Sequence, residues 1–224
     1  MSRVKPTKPT YRELQAQATA ERILQAARRL FRERGYAATT LELIAAEAGV
    51  ALPTVYARFK SKRGLLEGLR GVMRREAEVT SLITAAIDEP DPDRKLELYA
   101  RQVRQQMERG YDVIAIHREA SRADAAAAEA HRKVLDSRAR IIGRFARTLK
   151  DALAPGVSVR WATDLCWALA NEELYRELVA ERGWSAEEFE HWLSRTLQKQ
   201  LLSPGQAPDR PAFGENQRSP TPPH

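Results

Sequence analysis

Six residues between positions 40 and 63 carry groups that bind phosphate oxygens well: Thr40, Tyr56, Arg58, Lys60, Lys62 and Arg63. Hydroxyls donate hydrogen bonds to phosphate, and cationic side chains add charge, so such a set holds a polyanion without reading its sequence. Four neighbouring positions have small or apolar side chains: Leu41, Leu52, Pro53 and Thr54. These suit contact with thymine methyl groups better than bidentate contact with guanine. The pattern indicates phosphate anchoring and base readout on double-stranded DNA.

A helix-turn-helix is the element that would position these groups. Residues 39–66 predict two short helices hinged at Gly49, because glycine takes the left-handed conformation that ends a helix without a Cβ clash. Ala45 lets the second helix approach closely, and Val50 and Val55 fill the angle between the helices. Thr39 and Glu42 have the spacing of a capping box for the first helix of the pair. The second helix would then lie in the major groove.

This string resembles the DNA-binding domain of the TetR family of transcriptional regulators over residues 19–75. The resemblance rests on these segments: Thr39-Thr40, Ile44-Ala45, Ala48-Gly49-Val50, Pro53-Thr54-Val55-Tyr56, Phe59, Ser61-Lys62 and Leu65. It implies that Lys62 is the family's phosphate-binding lysine. The chain departs from the commonest pattern at Ala51, where a polar cap is frequent, and at Arg58, where histidine or tyrosine is common.

Composition and charge favour a helical protein with a DNA-facing head. Residues 1–75 hold 16 Lys and Arg against 6 Asp and Glu, whereas residues 76–224 hold 21 against 24. A basic head on a slightly acidic body is typical of polyanion binding. Ala, Leu, Arg and Glu dominate, so we expect an all-α fold of about nine helices. No apolar run approaches membrane length, and the single Cys166 fits a reducing, cytoplasmic setting.

The chain divides into four predicted parts: a disordered basic arm at 1–14, a three-helix DNA-binding domain at 15–78, a helical effector-binding and dimerisation domain at 79–202, and a disordered tail at 203–224. In the head, periodicity predicts a first helix over 19–34 and a fourth helix from 62 to about 79. In the body it predicts these helices: 94–109, 112–121, 124–152, 158–182 and one after a Ser185–Glu188 capping box.

The C-terminal half has weaker motifs, and its function comes from the resemblance. That resemblance implies a small-molecule effector in the helical core and pairing of the last two long helices with those of a second copy. Candidate pocket residues are large or polar-tipped: Tyr99, Met107, His117, Trp161, Trp167, Asn171 and Tyr175. Candidate dimer-interface residues follow apolar stripes: Val159, Ala162, Leu165, Cys166, Leu169, Phe189, Leu193 and Leu197. Ordinary core packing is the alternative for any of these positions.

The sequence offers no catalytic constellation, metal-ligand cluster or cofactor motif, and so predicts no enzyme. It predicts a homodimeric regulator of palindromic DNA, a repressor released by an unidentified small molecule. Two alternatives remain. The protein could be an activator or a ligand-independent regulator with a filled core. It could also be a helical enzyme or protein-interaction module whose head is a degenerate remnant.

Overall fold

The computed structural model describes residues 10–203 and confirms the all-α fold within them. Ten α-helices follow one another: α1 Tyr11–Arg34, α2 Leu41–Glu47, α3 Leu52–Phe59, α4 Lys62–Glu76, α5 Val79–Asp88, α6 Pro92–Ala123, α7 Ala125–Arg147, α8 Val159–Leu169, α9 Glu172–Tyr175 and α10 Ala186–Leu201. A 3₁₀ turn follows α7, and a π-helical turn continues α9. One isolated antiparallel bridge pairs Leu153 with Leu202. No described helix is long and apolar enough to cross a bilayer.

Helix α1 begins earlier than predicted and contradicts part of the predicted arm. Thr10 caps it in a complete capping box: the Glu13 amide donates to the Thr10 hydroxyl, and the Thr10 amide donates to the Glu13 carboxylate at 2.7 Å. Satisfying both otherwise free amides starts the helix at Tyr11, although residues 11–22 contribute no buried side chain. The predicted arm at 1–9 and the predicted tail at 204–224 lie outside the described residues.

The cap of α2 is Thr40, and the predicted Thr39 cap is wrong. The Thr40 hydroxyl accepts from the Leu43 amide at 3.3 Å. Thr39 is fully buried, and its hydroxyl lies 2.8 Å from the Gly35 carbonyl oxygen and 3.2 Å from that of Leu30. Its role is therefore to hold the connection between α1 and α2, because its buried hydroxyl donates to backbone carbonyls at the end of α1 and at Gly35.

Two predicted boundaries in the middle of the chain are also wrong. The fourth helix does not reach Val79, because Glu78 has φ 50° and breaks the chain into α4 and α5. Conversely, α6 runs without a break through Gly110, where two helices were predicted. A Cβ at Gly110 would overlap the Met73 side chain, so this glycine admits α4 to the surface of α6. Gly110 therefore allows close packing of α4 against α6 and does not end a helix.

The predicted helix over 158–182 is interrupted after α8. Asn171 has extended backbone angles, and its side chain accepts from the Glu173 amide at 2.8 Å, which starts α9 afresh. The Ser185–Glu188 capping box of α10 is present as predicted. The break matters because it leaves the carbonyls at the end of α8 available to other side chains.

Helix α6 enters both hydrophobic cores. Its C-terminal part, with Val113, Ile116 and Ala120, packs into the core formed by α1 to α4. Its N-terminal part, with Leu96 and Tyr99, packs into the core formed by α5, α7, α8 and α10. With 32 residues, the helix is about 48 Å long. The orientation of the head relative to the body is therefore set along one continuous helix.

Polar contacts from α1, α4 and the connection after α1 fasten the head to α6. Arg28 of α1 donates to both carboxylate oxygens of Asp112, each at 2.6 Å. The Tyr36 amide donates to Glu119 at 2.9 Å. His117 Nε2 lies 2.9 Å from the carbonyl oxygen of Leu66 in α4. Burial would raise the pKa of Asp112, but the Arg28 hydrogen bonds and charge outweigh it and the pKa is lowered.

Gly64 sets the distance between α3 and α4. A Cβ at this position would overlap the carbonyl oxygen of Phe59 at the end of α3. The obstacle is backbone, so it cannot move without displacing α3. Gly71, two turns further along the same helix, meets only the Arg75 guanidinium at 3.5 Å.

We expect Gly64→Ala to lower the free energy of unfolding by about 1–3 kcal/mol through overpacking. Gly71→Ala is the matched control and should raise it by up to about 1 kcal/mol, because alanine is the better helix former. Urea unfolding followed by circular dichroism measures both. Equal stability of the two variants would show that α3 does not depend on this contact.

A second expectation concerns pH. Burial lowers the pKa of His117 to about 4 from its ordinary value of 6.5, so the folded chain binds its proton less readily than the unfolded chain. The free energy of unfolding should be fully retained above about pH 6.5 and fall by roughly 1–2 kcal/mol on acidification to about pH 5. Burial lowers the pKa of His131 too, which adds in the same direction.

Urea titrations of the parent and of His117→Gln at about pH 7.5 and about pH 5 test this expectation. Glutamine can keep a donor for Leu66 but has no proton to bind in this range. The pH dependence should shrink in the variant. An unchanged pH dependence would assign the effect to other groups.

Candidate nucleic-acid interface and internal cavity

The turn between α2 and α3 has the geometry that the sequence predicts. Gly49 has φ 63°, and the Val50 amide donates to the Ala45 carbonyl at 3.0 Å, which closes the end of α2. Val55 is fully buried in the angle between the helices. This packing fixes α3 and leaves its opposite side exposed.

The exposed side of α3 begins at an uncapped N-terminus. Ala51 makes no side-chain cap, and Pro53 lies in the first turn, where its missing amide hydrogen costs nothing. Pro53 and Thr54 are exposed, whereas Leu52 is half-buried against the core. These three of the four predicted base-reading residues therefore adjoin the accessible start of α3.

Leu41 is the exception among the predicted base-reading residues, and the prediction is wrong. It is only 8% exposed and packs into the core of α1 to α4. Thr40, not Leu41, is the exposed residue at the start of α2. The cap of α2 is Thr40 and not Thr39. Thr40 is therefore the exposed residue at the start of the helix, and Leu41 packs into the core.

Four of the predicted phosphate-binding residues lie exposed around α2 and α3: Thr40, Tyr56, Arg58 and Lys60. Tyr56 is 47% exposed, so its ring does not belong to the hydrophobic core. Arg58 and Lys60 form no ion pair within 4 Å among the described residues. Lys60 ends α3 with φ 65°, an unusual angle for a residue with a side chain. The result is a cationic rim at the end of α3, without ion-pair partners among the described residues.

Lys62 has an internal role that its position in the motif does not reveal. Its ammonium donates to the carbonyl oxygen of Tyr36 at 2.8 Å and lies 4.4 Å from the centre of the Tyr36 ring. A second, longer contact of 3.4 Å reaches the Ala37 carbonyl. The side chain thus ties the connection after α1 to the start of α4. Its contact with phosphate stays a prediction.

A cavity of about 500 Å³, partly open to solvent, lies among α4, α5, α6 and α7. Its apolar walls come from these side chains: Leu66, Met73, Val79, Ile83, Ile87, Val103, Val134, Ile141 and Ile142. Gln102 and Gln106 add a polar pair, with the Gln102 amide donating to Gln106 at 2.8 Å. The volume suits a small organic molecule.

Three of the seven predicted pocket residues line this cavity: Tyr99, Met107 and His117. The Tyr99 hydroxyl is occupied, since it donates to the Cys166 carbonyl at 3.0 Å. Burial raises the pKa of Tyr99, so the hydroxyl stays protonated. His117 is neutral near pH 7, and its Nε2 must carry the hydrogen that Leu66 accepts.

The other four predicted pocket residues are elsewhere, and the prediction is wrong for them. Trp161 is 54% exposed on α8. Asn171 caps α9, and Tyr175 packs edge-on against Phe189 at 4.9 Å between ring centres. Trp167 stacks on the Arg138 guanidinium, which itself lines the cavity. The size of a side chain alone does not indicate whether the residue lines the cavity, packs in the core or lies on the surface.

Sequence reasoning missed the charged residues of the cavity. Arg63, Glu67, Arg70 and Arg74 follow one face of α4, and all four line the cavity. Arg63 therefore belongs to the cavity as well as to the predicted phosphate set. Their spacing of three and four residues was a usable signal. Helix α7 adds Lys133, Arg138 and Arg144 from the opposite wall.

The predicted dimer-interface residues fall on two sides of their helices. Five of its members are completely buried inside the chain and cannot contact a second copy: Ala162, Cys166, Phe189, Leu193 and Leu197. Burial raises the pKa of the Cys166 thiol to about 12. Val159, Leu165 and Leu169 are half-buried. The outward stripe of α8 contains Trp161, Leu165 and Ala168.

Comparison with known proteins matches residues 23–69 to the family described as bacterial regulatory proteins, tetR family. The HTH-type transcriptional repressor BepR of Brucella suis biovar 1 (strain 1330) is 36% identical over 101 residues, or 42% of this chain and 48% of BepR. The HTH-type transcriptional regulator YvkB of Bacillus subtilis (strain 168) is 47% identical over 51 residues, 23% of this chain and 27% of YvkB. The chain thus spans about half and about a quarter of these relatives.

Solved structures with similar folds extend over most of the chain. A complex of SmeT with triclosan has a TM-score of 0.69 at 22% identity, covering 88% of this chain and all of that one. NalD of Pseudomonas aeruginosa, the secondary repressor of the MexAB-OprM multidrug efflux pump, has a TM-score of 0.66 at 22% identity, covering 85% and 100%. The match to the tetR family of bacterial regulatory proteins thus covers the helix-turn-helix at residues 23–69, and the solved structures show that the rest of the described chain has a similar fold.

Proposed function

We propose that this protein is a transcriptional regulator of the cytoplasm, a homodimeric repressor that leaves a palindromic operator when a small molecule enters its cavity. The observation that carries the proposal is the exposed side of α3, held by the Gly49 turn and flanked by the unpaired cations Arg58 and Lys60. A helix presented in this way fits the major groove, and its cationic flank fits the adjoining phosphates.

Contacts with DNA divide into anchoring and reading. The Thr40 hydroxyl accepts a hydrogen bond from the Leu43 amide and donates to the Glu42 carboxylate, so it would contact a phosphate oxygen by turning its hydrogen away from Glu42. Tyr56, Arg58 and Lys60 add further anchoring groups. Leu52, Pro53 and Thr54 at the start of α3 would read base edges. Lys62 and Arg63 would add positive potential at the start of α4, Lys62 while keeping its tie to Tyr36.

Dimerisation follows from the need for selectivity. One head reads only a few base pairs, whereas two heads related by a two-fold axis read a palindrome with fixed spacing. The outward stripe of α8, with Trp161 at 54% exposure, Leu165 and Ala168, offers an apolar surface to the same stripe of a second copy. Small Ala168 permits close approach of the two helices.

Helix α4 connects the cavity to the head. Its start contacts α3 through Gly64, and its middle lines the cavity through Leu66, Arg70 and Met73. A ligand that favours one position of α4 would shift both heads and so weaken operator binding. The solved SmeT complex holds triclosan, a small organic molecule. A ligand-independent regulator, the main alternative, would have a filled core here, which the cavity of about 500 Å³ disfavours.

We expect Arg58→Gln to weaken binding to all duplexes by a similar factor. Loss of one phosphate contact should also lower the slope of log affinity against log salt concentration by about 0.9. Fluorescence anisotropy with a duplex selected from random sequence, and with a scrambled duplex, measures both effects across a salt series.

The matched control is Arg160→Gln. It removes the same charge from α8, where the side chain is 92% exposed and far along the chain from α3. This variant should keep the parent's slope. Equal slopes in the parent and in Arg58→Gln would exclude Arg58 from the anchoring set. A flat salt dependence in the parent itself would overturn the DNA-binding proposal.

A ligand of the cavity should release the operator. Compounds that raise the melting temperature in a panel of small apolar and amphipathic molecules should weaken duplex binding by about 5- to 150-fold. Val134→Trp fills the cavity from α7 and should abolish both responses, whereas Arg140→Trp on the exposed side of α7 should keep them. Release that persists in Val134→Trp would place the effector site elsewhere.

A further inference from the structure

The cavity carries a strong excess of positive charge. Six cationic side chains line it: Arg63, Arg70, Arg74, Lys133, Arg138 and Arg144. Glu67 is the one carboxylate among its lining residues. The remaining walls are chiefly apolar. A cavity with apolar walls and clustered guanidinium groups is suited to a ligand that has an apolar body and a negative head.

Arg70 is the most informative of the six. It is half-buried, yet it makes no hydrogen bond or ion pair with any residue between 10 and 203. Burial lowers its pKa, and the charge of Arg74 lowers it further, while Glu67 only partly opposes them. A guanidinium has five N–H donors, and leaving them desolvated without acceptors is unfavourable. An anion beside Arg70 would remove that penalty.

Arg138 is positioned firmly on the other wall. Its guanidinium stacks 4.3 Å from the centre of the Trp167 ring. Its Nη2 donates to the carbonyl oxygens of Trp167, at 3.2 Å, and of Ala170, which lie at the end of α8. Both of these hydrogen bonds use Nη2, so the donors on Nε and Nη1 remain for a ligand. Rigid positioning reduces the entropy lost when a ligand binds.

The opposing interpretation is that the arginines serve the surface only. Lys133 fits it, since a carboxylate oxygen of Glu129 lies 3.6 Å away, and Arg74 donates to the Thr80 hydroxyl at 3.4 Å. Arg70 does not fit it, because a surface arginine keeps its hydration and Arg70 is half-buried beside the neutral His117.

We propose that the effector is an amphipathic carboxylate, whose apolar body occupies the cavity while its carboxylate pairs with Arg70. Arg138 and the other cations of α4 and α7 strengthen the local positive potential. This inference rests on the proposed function, because it names the ligand class of the same cavity. It predicts that the headgroup charge decides binding among molecules with the same apolar body.

The test uses the full-length protein with octanoate, dodecanoate and hexadecanoate, each beside its matching primary alcohol and primary ammonium ion. Calorimetry below the micelle concentration measures affinity, and the melting temperature gives a second readout. At least one carboxylate should bind, and bind about tenfold or more tightly than its alcohol, because a charge-assisted pair in a partly desolvated site is worth about that factor. The ammonium ions should bind more weakly still.

Arg70→Met keeps the length and apolar stem of the side chain and removes the charge. The ligand-free variant should melt at or above the parent's temperature, because an unpaired half-buried charge is gone. Its affinity for the carboxylate should fall about tenfold, while its affinity for the alcohol stays unchanged. Arg140→Met, an exposed change on α7, is the control and should keep the parent's preference.

Equal binding of carboxylate and alcohol, or no binding of any carboxylate, would overturn the inference. So would a preference for carboxylate that persists in Arg70→Met. Operator release is measured separately by anisotropy. If alcohols bind and release the duplex, the proposed function stands while the ligand class falls. If carboxylates bind at Arg70 without changing duplex affinity, the ligand class stands while the proposed regulation falls.

Discussion

One uninterrupted helix, α6, is shared by the two hydrophobic cores, and the relation of head to cavity depends on it. Residues near its start pack among α5, α7 and α10, whereas Val113 and Ile116 pack under α1 to α4. The doubly hydrogen-bonded pair Arg28–Asp112 fixes α1 to this helix. Helix α4 contacts both α1 and α6, so under the proposed function a ligand in the cavity would act chiefly through α4.

Helix α4 has few specific restraints beyond packing. Met73 lies over Gly110 of α6, and His117 donates to the Leu66 carbonyl. At its other end, Lys62 and Gly64 join it to the Tyr36 carbonyl and to the end of α3. The same helix therefore carries Arg70, which has no ion-pair partner among the described residues, and the close contact of Gly64 with the end of α3. Because α4 is a rigid helix, a change of charge beside Arg70 would also displace its start, where Gly64 contacts α3.

The head could be predicted from sequence because its signals are local. Gly49, Val55 and the start of α3 each have a requirement that neighbouring residues express. The body could not be predicted as well, because its positions are decided by distant contacts. Gly110 resembles a helix terminator until Met73 is seen above it. Lys62 is the same kind of exception within the head, because it resembles a free cation until its contact with Tyr36, 26 residues away, is seen.

The remaining wrong predictions concern which side of a helix faces the core. On α8, Ala162 and Cys166 were assigned outward but face inward, and the outward stripe begins one residue earlier at Trp161. An α-helix turns about 100° per residue, so such a shift moves a stripe from surface to core. Apolar character occurs on both sides of this helix, and composition alone cannot choose between them. The arginines of α4 recur at a spacing of three to four residues or a multiple of it. That spacing indicates the face of α4 that lines the cavity.

Lys60 illustrates a compromise between folding and activity. Its φ of 65° is an angle at which a side chain is unfavourable by about 1 kcal/mol relative to glycine. Glycine would relieve that strain at the end of α3, but it would remove an ammonium from the cationic rim that is proposed to contact DNA. A lysine at this position therefore keeps a positive charge at the end of α3 although the backbone conformation is less favourable for it than for glycine. Selection for thermal robustness alone would be expected to reverse that preference.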